Sequence, residues 1–330
     1  MKKTLFPALF GVLAAGMALA APPTVPELLR LVPAQARVVV AVDAAALRSH
    51  PAVQSWLMDH ANWGNADTEA ARFLADAGLD PLRDVTAMVV AVVSEGSKGN
   101  PIAFFAGRYD PAALSAALTK RGASPVVLGN ISGLRLPEDD HAGAPAVFAQ
   151  PSPELVVVGS EAAVTESLSA TGAKNQLIET AVTSGQVDPR APFWVVANLP
   201  SEARRNVSDA VERTQGSSEE PMRQVIMASG AVQRVAIQAF LDDSLRLSGV
   251  AVADTEENAD LLRDAAKGVL AAARLQSQDR APELVNVLRD VQVRAIGTQV
   301  TLASVIPVTL LEKLIAAHKV DRQGAASDHP

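Results

Sequence analysis

A chain of 330 residues without a single cysteine cannot use disulfides, thiolate metal sites or thiol catalysis, so its stability has to come from burial. Its formal net charge of −7, with 20% charged and 4% aromatic residues, describes an alanine-rich globular protein and not a disordered one. An acidic, evenly mixed surface also repels phosphate backbones, which excludes nucleic acid as a partner.

The first twenty residues read as a secretory signal peptide. Met1-Lys2-Lys3 supplies the basic start, Leu5–Leu19 the short apolar run, and Ala18-Leu19-Ala20 the small residues before a cleavage site. Pro7, Gly11 and Gly16 interrupt the run, which is shorter than the roughly 20 apolar residues a spanning helix needs. Cleavage near Ala20 places the mature protein in the periplasm or outside the cell, and loss of Lys2 and Lys3 makes it more acidic. Val300–Leu311, the longest later apolar stretch, contains Thr301, Ser304 and Pro307 and runs into Glu312 and Lys313. The expectation is therefore a soluble mature chain with no membrane span.

Residues 21–25 read as a flexible leader. A first module, 26–171, starts with a turn of helix and the valine-rich strand Ala36–Asp43, whose continuous apolar run suits burial on both faces. Asp43 caps Ala44–Arg48, Ser49-His50-Pro51 opens a second helix, and Thr68–Ala77 is a third. The clearest unit follows: strands Val85–Val93 and Ile102–Tyr109 around a polar turn, then a helix entered through Asp110-Pro111. Shorter strands are predicted at Pro125–Leu128, Ile131–Leu136, Pro145–Ala149 and Leu155–Val158, followed by a helix to Ser169.

A helical connector and linker, 172–191, leads to the second module, 192–319. There the strand Phe193–Asn198 and a helix from Pro200 precede the hairpin Val232–Leu241 and Leu245–Ala253. Asp254 with Glu257 reads as a capping box for Thr255–Leu275. The helix Pro282–Arg289, strands Val291–Ile296 and Gln299–Val305, and a final helix Pro307–His318 complete it; 320–330 is a disordered tail. Both halves read strand, helix, hairpin, helix, strands, helix. The predicted class is α+β: two split-βαβ-like (ferredoxin-like) modules forming an internal repeat, with helices packed on mostly antiparallel sheets.

Three blocks of the first module stand out together: Leu31-Val32-Pro33-Ala34 before the valine strand and Asp43; Phe73-Leu74 with Gly78-Leu79-Asp80-Pro81 and Asp84; and Ala106-Gly107-Arg108-Tyr109-Asp110. This pattern resembles a group of secreted bacterial proteins of unknown function with a repeated α+β module, mainly over residues 31–170. The resemblance implies export and fold, and carries no catalytic residue.

Motifs for chemistry are sparse. Gly129-Asn130-Ile131-Ser132-Gly133 sets serine one place late for a nucleophile elbow, and no phosphate-binding or dinucleotide-binding glycine loop is present. Glu138, Asp139, Asp140 and His141 are the metal candidates, as oxygen and nitrogen donors, against the simpler reading of a solvated acidic turn. Asp43 and Asp110 sit at strand ends, where helix capping accounts for them, and Arg108 is placed to pair with Asp43 or Asp84. His60 reads as a packing residue beside Trp56, and His50 as the residue that starts a helix. No cofactor is implied. The expected role is a non-catalytic exported module that binds a protein or envelope component. The alternatives are a carrier of a small apolar ligand, held where alanine-rich helices leave a groove, and a metal-dependent or acid–base hydrolase.

Overall fold

The computed structural model describes residues 21–60, 69–95, 98–137, 146–169, 174–199, 230–278 and 282–313. In chain order these form α1 (Val25–Leu29), β1 (Ala36–Val42), α2 (Ala44–Arg48), α3 (Pro51–His60), α4 (Glu69–Asp76), α5 (Pro81–Asp84), β2 (Val85–Glu95), β3 (Lys98–Gly107) and α6 (Pro111–Lys120). Next come β4 (Ser124–Leu128), β5 (Ile131–Arg135), β6 (Ala146–Ser152), β7 (Leu155–Ser160), α7 (Glu161–Ser169), α8 (Gln176–Thr183) and β8 (Phe193–Asn198). Then follow β9 (Val232–Leu241), β10 (Ser244–Ala253), α9 (Glu256–Ser277), α10 (Pro282–Asp290), β11 (Gln292–Ile296) and β12 (Gln299–Pro307).

The α+β class with antiparallel pairing is as expected. All the described strands join one sheet in the order β11-β12-β10-β9-β8-β1-β2-β3-β7-β6-β5-β4. The halves meet at β1 and β8, which pair antiparallel from Val38 opposite Ala197 to Val42 opposite Phe193. From that seam β1, β2, β3 and β8, β9, β10 run outward in chain order on either side. The order differs from a split βαβ unit, because β1 and β2 are direct antiparallel neighbours with no strand between them. The chain leaves β3 through α6, reaches the sheet edge at β4, and returns by meander until β7 pairs with β3.

The main core lies on one face, under α1, α7 and α8. Leu28, Val39, Val89, Ile102, Phe104, Val157, Val164 and Trp194 are fully buried there, each large side chain contributing about 1.5–3 kcal/mol. Val25 belongs to the same cluster, which ties the end of the expected leader to the fold. The opposite face of β1 is less covered: Val38, Val40 and Val42 are only half-buried, so this strand is not fully buried on both sides. On that opposite face α4 and α6 cover one end of the sheet and α9 and α10 the other.

Local chemistry explains most helix starts. Asp43 accepts from Ala46 N–H at 2.8 Å, and Asp110 from Ala112 and Ala113 N–H at 2.9 and 3.1 Å. The cap of α9 is Thr255, whose hydroxyl accepts from Asn258 N–H at 3.1 Å. Asp254, the expected cap, instead accepts from the Asn258 side chain at 2.7 Å. The shift by one residue follows from Thr255 having extended backbone angles while Glu256 is already helical. Pro307, expected to open the last helix, stays in β12 opposite Ser244. His50 joins the halves: Nδ1 accepts from Ala52 N–H at 3.2 Å, and Nε2 lies 2.7 Å from the Asp242 carbonyl, the arrangement of a neutral Nε2–H tautomer.

Ahead of β8, the Asp188 carboxylate takes two bonds from the Arg190 guanidinium, at 2.7 and 3.0 Å, and one from Arg190 N–H at 2.9 Å. These hold its carboxyl down to about 2. Because that lies below the unfolded value of roughly 3.9, the pairing contributes above about pH 4 and is lost as pH falls towards 2. A carboxyl-detected NMR titration should find this low midpoint in the native protein, and Arg190→Ala, which removes the guanidinium but keeps the backbone N–H bond, should raise it towards the ordinary range. An unchanged midpoint in the variant would contradict the assignment.

Candidate functional site

An apolar pocket lies between the sheet and the helices α4 and α6. Alternation along β3 sends Phe104 into the main core and Phe105 to the opposite face, where it joins Phe148 of β6 and Val156 and Val158 of β7 as a floor. Leu114 and Leu118 of α6 form the roof at helical spacing. Ala117 between them is buried too, and its small side chain lets the helix lie close to the sheet. Phe73 and Leu74 of α4, with Leu79, Pro81 and Val85, form the side wall; Tyr109 and Leu136 close the ends.

The pocket volume is about 370 Å³, at the lower end of the range of about 300–1,000 Å³ for small-molecule pockets. Of the described residues lining it, only Tyr109 carries a polar side-chain atom. Its ring forms the wall, while its hydroxyl is buried without a hydrogen-bond partner, close to Gly107. Burial, and secondarily the Asp84 carboxylate, push the phenol well above its ordinary range, so it stays neutral.

A polar clamp ties the roof to the wall. Asp76 at the end of α4 pairs with Lys120 at 3.1 Å and Arg121 at 2.9 Å, and Arg121 also lies over the Phe73 ring, 5.3 Å from its centre. Those two cations hold the Asp76 carboxyl below its usual value.

The residues singled out from sequence have other places. Glu138, Asp139, Asp140 and His141 lie outside the described residues, as do the side chains of His60 and Trp56. Among the described residues no group of three His, Asp or Glu side chains is arranged to hold a metal ion. Arg108 pairs with neither Asp43 nor Asp84. Its side chain is exposed and its backbone N–H donates to the Asp84 carbonyl at 3.0 Å, while Asp84 is occupied by Arg83 at 2.8 Å.

The three sequence blocks of the first module have structural roles. Asp80 caps α5 through Leu82 N–H, and Asp84 accepts from Asp80 N–H at 2.8 Å. The carbonyl of Leu31 accepts from the buried Ser167 hydroxyl at 2.6 Å. The Asn175 side-chain NH₂ donates to those of Pro33, Ala34 and Ala36. The pocket itself had a usable signal, since Phe105, Tyr109, Leu114 and Leu118 fall in one strand–helix unit, but Phe73, Leu136 and Phe148 come from elements that only the fold brings there.

Fold and pocket together define an α+β protein with an apolar cavity under two helices. No protein-family model matches the chain, and no curated protein matches it. Among solved structures it is distantly similar to TP0453 in crystal forms I, III and IV. Their TM-scores are 0.44, 0.48 and 0.43, at 11%, 10% and 11% identity. The alignments cover 88%, 88% and 87% of this chain and 96%, 97% and 95% of that one.

Proposed function

We propose that this is a non-catalytic binding protein, exported after cleavage near Ala20, that carries a small apolar ligand in the pocket beneath α4 and α6. The observation that carries the reading is the cavity itself: about 370 Å³ bounded by aliphatic and aromatic side chains, with its one polar group turned away and neutral. Such a space offers burial of hydrocarbon and no hydrogen bond, so it selects by shape and by lack of polarity. The same lack of a charged or nucleophilic group in its wall favours carriage over turnover. It also favours a small ligand over the protein or envelope partner that the sequence suggested first.

The test is displacement of N-phenyl-1-naphthylamine fluorescence, together with native mass spectrometry of protein purified from the exporting cell. A co-purifying apolar mass is expected. Leu136→Trp, which puts bulk into the cavity from a half-buried position, should weaken dye binding by about tenfold or more with little change in melting temperature. Dye binding unaffected by this substitution, together with protein that carries no bound mass, would overturn the proposal. Among the described residues no helix is long and apolar enough to cross a membrane.

A further inference from the structure

On the other flank of α6 lies a second cleft, of about 460 Å³, between that helix and the strands β4, β5 and β6. Its floor is Leu134 and Phe148, proline rings from α6 and β4 stand at its sides, and Ser115 and Ser132 offer hydroxyls. None of its described lining residues is charged. The lining also includes Gln150, and here the fold leaves something unfinished. Both the Nε2 and the Oε1 of Gln150 are buried without a hydrogen-bond partner.

The cause is visible in the ladder. The pairing of β6 with β7 slips between Ala149 and Ser152, so Gln150 and Pro151 have no partner residue on β7. The slip is pinned from below, where Gly107 N–H donates to the Glu154 carbonyl at 2.9 Å and Tyr109 N–H to the Pro153 carbonyl at 3.3 Å. Irregularities of this kind re-aim a side chain, and they concentrate beside sites. A buried carboxamide with neither end satisfied is unfavourable unless something else completes it.

We infer that this cleft binds a neutral, extended peptide segment of a partner protein, and that Gln150 reads its backbone. A carboxamide presents a donor and an acceptor side by side. In an extended chain the N–H and C=O of one residue project to the same side, so the two groups match as a pair. The proline rings and Phe148 provide flat apolar surfaces for the flanking side chains, and the uncharged lining excludes a strongly ionic ligand. Gln150 turns its amide into the opening by rotation of its terminal torsions, exchanging two unsatisfied atoms for two hydrogen bonds. The site is separate from the apolar pocket and does not depend on it, although Phe148 contributes to both.

The probe is a blocked tetra-alanine peptide, acetylated and N-methylamidated, titrated to millimolar concentration into the ¹⁵N-labelled protein. The expected result is a shift of the Gln150 side-chain NH₂ resonances and of the Ser115 and Ser132 amides. Peptides with the central amides replaced by esters should bind about tenfold more weakly to the unaltered protein. Gln150→Leu should lose peptide binding by a similar factor while keeping N-phenyl-1-naphthylamine binding, which separates this site from the apolar pocket. Two results would overturn the inference: no shift at these residues, or ester peptides and Gln150→Leu binding as well as the natural pair. An internal water completing Gln150 would produce the first of these.

Discussion

Gly107→Ala is expected to destabilise the protein by about 3 kcal/mol, at the upper end of the range for overpacking in a closed site. A Cβ at this position would stand 2.2 Å from the Asp84 carbonyl oxygen and 2.7 and 2.8 Å from the hydroxyl oxygen and Cζ of Tyr109. The carbonyl cannot yield easily, because it accepts from Arg108 N–H and ends the short helix α5. Denaturant unfolding measures the loss. Tyr109→Phe separates the two contacts: it removes the hydroxyl and leaves the carbonyl, so it should not rescue Gly107→Ala. Alone, Tyr109→Phe deletes an unsatisfied buried hydroxyl and should be neutral or mildly stabilising. Since the Tyr109 ring walls the apolar pocket, Gly107→Ala should also weaken dye binding. A fully stable Gly107→Ala protein would show that the strand end relaxes, and would remove the account of why glycine stands there.

The second large effect is expected at Asn175, which is only 4% exposed. Its Oδ1 caps α8 by accepting from Ile178 N–H at 3.1 Å. Its Nδ2 lies 2.8, 3.1 and 3.2 Å from the carbonyls of Pro33, Ala34 and Ala36. One side chain thus starts a helix and fastens the loop that leads into β1. Asn175→Ala should cost about 3 kcal/mol, of which about 1 is the lost cap and about 2 the stranded carbonyls. Asn175→Asp keeps the cap but sets a buried negative charge against three carbonyl oxygens, which raises the carboxyl pKa in the folded state. Its penalty should therefore be greatest at high pH and should shrink as pH falls through that raised value and the acid regains a proton to donate. Urea unfolding of both variants across pH checks this. A pH-independent difference between them would contradict it.

These two positions also show what the three sequence blocks of the first module do in the fold. Gly107, Asp110, Asp80 and Asp84 hold the strand ends and helix starts that frame the pocket, and the carbonyls of residues 31–36 are met by Ser167 and Asn175 from far along the chain. What resembles a site in sequence is here a set of fastenings. The missed features have similar origins. The helix α5 repeats the Asp-Pro start of α6 but is only four residues long, too short to show a periodic stripe. At Thr24, the backbone N–H and hydroxyl both donate to the Glu27 carboxylate, at 2.7 and 2.8 Å; the Thr-x-x-Glu spacing was legible, unlike the expected box at Asp254.

By itself the sequence determined the elements of this protein: the hairpins, the helices opened by Asp43, Asp110 and Asn175, the turns at Gly129 and Gly297 with their positive φ, and the α+β class. These follow from interactions within a few residues, where side-chain spacing, capping and glycine geometry act directly. Only the tertiary structure decided that both halves share one sheet, that β7 comes back to β3, and that Phe73, Phe105, Leu118 and Phe148 enclose a common space. The physical reason is that antiparallel pairing needs only matching backbone donors and acceptors, which every strand has. Which strand meets which is settled by how all the apolar faces can be buried at once, a condition on the whole chain and not on any window of it.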